Sequence, residues 1–143
     1  MINFTADSTK ATNYLNSITQ NVTSLNELMA TKGRDILKQS NLNSFEQQRT
    51  PGGIAWRQSL AAKKANRQTM IDTGNLMADT QQDFNYKMEG TSLEEFTSVV
   101  GDEGPNDFYG FKHNFGDWEF AGLDIESTKK MNLLITNFIM DGK

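Results

Sequence analysis

The chain has 143 residues, a net charge of −4, a pI near 4.9 and no cysteine. That length suits one domain with its own core, while the missing cysteines exclude disulfide frameworks, thiolate metal sites and cysteine nucleophiles. The acidic balance argues against nucleic acid as the principal partner, because duplex binding needs a cationic face to neutralise phosphates.

The N-terminus, MINFTADSTK, carries neither the charged n-region nor the apolar core of a signal peptide. No apolar run approaches the roughly 20 residues of a membrane span. The expectation is a protein that is cytoplasmic when made, with no membrane partner. A hydrophobic content of 36% and a mean hydropathy of −0.60 are lean for a self-sufficient globule, yet an aromatic content of 10% is too high for a disordered chain. A lean core is expected where neighbouring subunits complete the burial.

From Ala6 to about Ser40 the apolar residues Ala11, Tyr14, Leu15, Ile18, Val22, Leu25, Leu28, Met29, Ile36 and Leu37 recur mostly three or four apart, which predicts one long helix. Asp7 or Ser8 suits its N-cap, and Gly33 marks a kink or an early end. At about 45 to 50 Å such a helix outruns the core of a domain this size. Its far face is Asn, Thr, Ser and Gln, so its stability must come from packing the apolar stripe. Subunit–subunit packing is expected for at least its N-terminal half.

Residues 41–75 read as a loop and a basic arm. Thr50-Pro51-Gly52-Gly53 is a turn signal, Arg57 to Thr69 is basic and Ala-rich, and Asp72-Thr73-Gly74-Asn75 is a second turn cluster. Residues 76–122 are expected to hold a small antiparallel sheet and an aromatic loop, with strands at Leu76–Thr80, Asp83–Met88 and Phe96–Val100. A closing helix is expected over 124–140, capped by Asp124 and ended by Gly142. The whole, residues 1–143, is predicted to be a single α+β domain.

Three blocks carry more than generic information. Phe45 is followed by Pro51, Gly53 and Trp56; then, after the basic run, come Thr73, Gly74 and Leu76; later come Tyr109, His113 and Gly116. In this order they resemble the bacteriophage virion-morphogenesis (tail-completion) family, over roughly residues 45 to 122. The family pattern is Phe, Pro-x-Gly-x-x-Trp, a basic helix or arm, a Leu-x-x-Thr-Gly-x-Leu element and a Tyr-x-x-x-His-x-x-Gly element. Met70 or Ile71 stands where that pattern has its first leucine, and Asp117 to Gly122 stands where an Arg-Pro-rich segment is common. The resemblance implies a non-enzymatic virion subunit with no cofactor, located at the neck or proximal tail. It implies a self-assembled ring, six-fold or twelve-fold, contacting neighbouring head–tail connector and tail proteins. DNA would be at most the passing content of its channel. A tail terminator or a head-completion connector is the alternative within the same class.

The expected contact surfaces are Trp56 with its loop, the cations Arg57, Lys63, Lys64 and Arg67, and the aromatic block Phe108, Tyr109, Phe111, His113, Phe115, Trp118 and Phe120. Trp56 is equally well placed as a core anchor, because tryptophan is enriched both in cores and at interface hot spots. The cations form either a solvated face or a contact to DNA or an acidic neighbour. His113 is the sole histidine and has no evident partner set, so no catalytic or metal role is assigned. A competing class, a small phage-associated hydrolase or binding module, would draw a carboxylate pair from Asp102, Glu103, Asp107, Asp117 and Glu119. The sequence fixes no separation between them.

Overall fold

The computed structural model describes residues 8–71, 74–90, 92–95 and 118–142. Its helical N-terminal run extends from residue 9 to residue 47, as α1 (Thr9–Thr23), α2 (Leu25–Leu28), a π-helical turn (Met29–Gly33) and α3 (Arg34–Gln47). Ser24 alone interrupts it, with φ −93° and ψ 3°. The glycine that ends the π turn has a steric reason. A Cβ on Gly33 would lie 3.0 Å from Met29 Cε and 3.6 Å from Met131 Sδ, so two methionines close over a bare backbone. The predicted kink at Gly33 is therefore a local widening of the helix rather than its end.

The run outlasts the expected limit at Ser40. Asn41, Asn43 and Ser44 are poor helix formers, but Phe45 is fully buried and anchors the last turn. The helix stops where Gln48 adopts a left-handed conformation (φ 51°), with Arg49 N–H donating to the Ser44 carbonyl. A tight loop follows. Thr50 N–H donates to Ile54 O and Gly53 N–H to Thr50 O, with Gly53 at φ 89°, and Trp56 N–H returns to Gln48 O at 2.7 Å.

Within the expected basic arm lies one short helix, α4 (Leu60–Lys64), capped by Ser59, whose hydroxyl accepts from Ala62 N–H. The strand expected at Leu76–Thr80 is instead a helix, α5 (Asn75–Asp79). Leu, Met and Ala are strong helix formers, and Gly74 at φ 82° supplies the sharp entry. A 3₁₀ turn (Asp83–Asn85) then leads into β1 (Tyr86–Glu89), which pairs antiparallel with β2 (Ser92–Glu95) in the register Tyr86↔Glu95 to Glu89↔Ser92. The strand expected at Phe96–Val100 lies outside the described residues. The closing helix α6 (Ile125–Asp141) begins at Asp124, whose Oδ1 accepts from Ser127 N–H at 2.6 Å, and ends at Gly142 in a left-handed conformation.

The chain is α+β: helices with a small two-stranded antiparallel sheet. α6 runs antiparallel to the N-terminal helices. Its start meets Ser40 and Asn43, Met131 meets Gly33, and Ile139 O accepts from Asn21 Nδ2 at 3.0 Å. The apolar core is Phe45, Trp56 and Phe120, flanked by Met70, Ile71, Leu76, Met77, Trp118 and Ala121.

Candidate assembly surfaces

The described members of the motif blocks meet in one place. Phe45 arrives on α3, Trp56 from the loop after the Pro51-Gly52-Gly53 turn, Ile71 and Leu76 from either side of the Thr73-Gly74 element, and all join the same core. Trp56 stands edge-on to Phe45 (centroids 5.5 Å apart, planes at 84°), and Phe45 in turn packs on Phe120 at 5.2 Å. The indole N–H of Trp56 donates to Glu119 O at 3.0 Å. Pro51 seats against Gly122, where an added Cβ would come within 3.3 Å of the proline ring.

Two of the expected contact residues therefore move inward. Trp56 is 7% exposed and Phe120 1% exposed, so both are consumed by the subunit's own core rather than offered to a neighbour. The physical reason is ambiguity in the residue type, since a large ring seeks burial whichever chain provides it. Trp118 is half-buried and donates its N–H to Arg57 O at 2.6 Å, tying the start of the basic arm to the end of the aromatic block. Arg57, Lys63 and Lys64 are exposed, the two lysines side by side in the last turn of α4, and Arg67 is half-buried nearby. Phe108, Tyr109, Phe111, His113 and Phe115 lie outside the described residues, as do Asp102, Glu103, Asp107 and Asp117.

Around this core the interior is polar and held by directional bonds. Asn41 is fully buried; its amide donates to Tyr86 Oη at 2.9 Å, and its carbonyl accepts from Gly122 N–H at 3.2 Å. The Tyr86 hydroxyl in turn donates to Thr80 O at 2.6 Å. Ser40 Oγ accepts from Asp124 N–H, and Asn43 donates to Asp124 Oδ2. One helix, α3, thereby fixes the hairpin, the Gly122 loop and the start of α6. None of these bonds was readable in the sequence, because each joins residues more than forty positions apart or depends on a side chain's exact direction.

Among the described residues, two clefts open on this frame. One, of about 380 Å³, is lined by Asn43, Gln47, Arg49, Pro51, Gly53, Asp124, Ile125 and Glu126. Its carboxylate at Asp124 is already occupied as a helix cap. Burial alone would raise the Asp124 pKa, but the Ser127 N–H, the Asn43 amide, the Ser127 hydroxyl and the Arg49 charge outweigh it and hold the carboxyl below its ordinary value. The other, of about 560 Å³, is lined by Met29, Leu37, Leu93, Leu123 and Met131 with Ser92, Ala121 and Gly122, and so sits between the π turn, β2 and α6. Elsewhere Asp83 binds Lys38 at 2.6 Å and Arg34 at 3.3 Å; the Lys38 hydrogen bond holds its pKa below the usual value. Among the described residues no group of three or more His, Asp or Glu side chains is placed to hold a metal.

Among the described residues, several large apolar side chains are left uncovered on the helices. α1 buries none of its residues: Tyr14 is 48%, Leu15 61% and Val22 48% exposed. On α6, Ile125, Leu133 and Met140 are exposed too, and Ile54 and Leu60 protrude from the loops beside the core. No protein-family model, curated protein or solved structure matches the chain.

Proposed function

We propose that this chain is a structural subunit of a bacteriophage virion, a tail-completion or neck protein at the head–tail junction that works by oligomeric assembly and docking. The observation that carries the reading is the convergence of the two motif blocks that lie among the described residues: Phe45, Trp56, Met70 or Ile71, and Leu76, with Pro51 and Gly74 shaping the turns, form one core although they span more than thirty residues of sequence. Residues that resemble a family's pattern and also build a common core are what a fold signature requires. The uncovered apolar surface of α1 and α6 supports assembly as the mode of action. In the proposed setting the subunit forms a ring, six-fold or twelve-fold, between connector and tail proteins. Arg57, Lys63 and Lys64 then face either an acidic neighbour or the DNA that passes through.

The test is location. Virions assembled with the chain carrying a small epitope tag are purified and imaged by electron microscopy with labelled antibody. Label at the head–tail junction is the expected result, and particles assembled without the chain should have heads and tails that fail to join. Virions that contain no copies of the chain would overturn the proposal.

A further inference from the structure

We infer that the outer face of the short helix α4, together with Arg57 beside it, is a docking site for an acidic segment of a partner protein. The inference deepens the assembly role proposed above and rests on it only for the expectation of a protein neighbour. Of the two anions that could meet these cations, it selects the acidic neighbour over the DNA.

Charge is unevenly divided along the chain. Residues 47–71 hold five of its 14 Lys and Arg residues and none of its 18 Asp and Glu residues, so this stretch carries +5 and the remainder −9. The stretch is also held in one shape. Ser59 N–H donates to Thr69 Oγ1 at 3.2 Å, closing the base of the loop on a buried threonine. Trp118 Nε1 holds the Arg57 carbonyl at 2.6 Å, and Arg67 N–H donates to Ala62 O at 3.0 Å. Ala62 is fully buried and so fixes which side of α4 faces the protein. At about 100° per residue, Leu60 then points nearly away from Ala62, with Lys63 to one side of it and Lys64 to the other. Leu60 is 79% exposed, and both lysines are exposed. The ion pairs among the described residues engage Arg34, Lys38, Lys87 and Lys130, and leave the Arg57, Lys63 and Lys64 side chains without one.

Three features select the occupant. The first is sign: a patch of cations with no carboxylate of its own attracts an anionic partner and turns away a basic one. The second is extent. α4 is five residues long, about 7 Å, and the chain beyond this stretch is acidic. Duplex DNA, with a charge every ~1.7 Å along its axis, would run past the patch onto repelling surface, whereas a short acidic segment need reach no further than the cations. The third is Leu60. A phosphate backbone offers it nothing apolar. A segment that carries both carboxylates and an aliphatic side chain covers the leucine at the centre and meets the lysines at its sides, the apolar middle and polar rim of a protein interface. Because the loop is already closed at its base, little of its freedom is left to lose on docking.

The experiment is a fluorescence-anisotropy titration of the full chain against a labelled peptide of repeated Glu-Glu-Leu, a Gln-Gln-Leu analogue and a short DNA duplex. Wild type should bind the acidic peptide with a Kd of about 100 µM or tighter, and neither the neutral analogue nor the duplex should match it. Lys63→Glu/Lys64→Glu should weaken peptide binding at least about tenfold, the loss expected when two exposed attractions become repulsions. Leu60→Ser should weaken it about fivefold through lost apolar contact. Lys129→Glu/Lys130→Glu makes the same charge change at exposed positions on α6 and should alter binding less than about twofold. Melting temperatures should stay within a few degrees, since every substituted position is exposed. No peptide binding up to about 1 mM, equal losses in the two lysine pairs, or a duplex that binds more tightly than the peptide would each overturn the inference. So would a wild type that ignores the peptide and self-associates through Lys63 and Lys64 in sedimentation velocity. A chain found at the head–tail junction that fails the peptide titration would refute this docking site and leave the virion reading standing. One absent from virions that passes it would do the reverse.

Discussion

Replacing Trp56 by alanine removes one of the three buried rings of the apolar core. The ring is 93% shielded, packs edge-on against Phe45 and donates its N–H to Glu119 O. Truncating a buried Phe or Trp to Ala costs about 3–5 kcal/mol, transfer and cavity terms together. Here the loss should fall toward the upper end, about 4–5 kcal/mol, because the Glu119 carbonyl loses its donor and Phe45 its edge-to-face partner. Against a total stability of about 5–15 kcal/mol for a domain, that is a large share. At roughly 3–5 °C per kcal/mol for a chain of this length, the melting temperature should drop by about 12–25 °C. Circular dichroism melts and urea titrations measure it directly. Trp56→Phe separates the parts, since it keeps most of the apolar volume and loses the hydrogen bond, with an expected cost of about 1–2 kcal/mol. A loss below about 1 kcal/mol in Trp56→Ala, with an unchanged urea slope, would show that the ring does not anchor this core.

Other outcomes follow from the same contacts. Asn41→Leu should destabilise by about 2–3 kcal/mol in urea titrations, because the Tyr86 hydroxyl loses a donor and the Gly122 N–H is left without an acceptor inside the protein. Gly122→Ala should lower the melting temperature by several degrees, since φ is +140° there and the new methyl meets Pro51. Asp124→Ala should cost about 1–2 kcal/mol as a lost N-cap. Its carboxyl pKa is depressed on folding, so its contribution is present above the ordinary carboxylate pKa and is lost as pH falls through the lower, folded-state value. An acid titration of stability should accordingly be flatter for Asp124→Asn than for wild type. The isolated chain should show no tight, salt-sensitive duplex binding in a filter assay, because Arg57, Lys63 and Lys64 make only a small cationic patch on a chain of net charge −4.

Much of the helical frame was legible because it depends on local pattern. The stripe from Tyr14 to Leu37 predicts the long helix, and Asp124 and Gly142 mark the ends of α6. The errors fall where tertiary bonds override propensity. Asn41, Asn43 and Ser44 look like loop, yet their polar side chains are held by Tyr86, Gly122 and Asp124, groups that are distant in the sequence. Leu76 to Asp79 is too short a run for periodicity to separate helix from strand, and its Leu, Met and Ala residues decide for helix. For the contact surfaces, residue type was an uneven guide. The stripe on α1 stands exposed. Trp56 and Phe120 gave no sign of which chain would bury them.

α6 differs in its surroundings from one end to the other. At its start, Asp124 and Ser127 sit among the buried bonds that hold α3, while Met140 lies about 20 Å away at the uncovered end. Changes at sites that far apart act almost independently on free energy. Random mutagenesis of this single helix should therefore sort by position into two phenotypes. Lesions near residues 124–131 should give temperature-sensitive chains that fail to accumulate. Lesions at the exposed Leu133 and Met140 should give abundant, well-folded chains. The outer residues of the helix can therefore change without disturbing the interior.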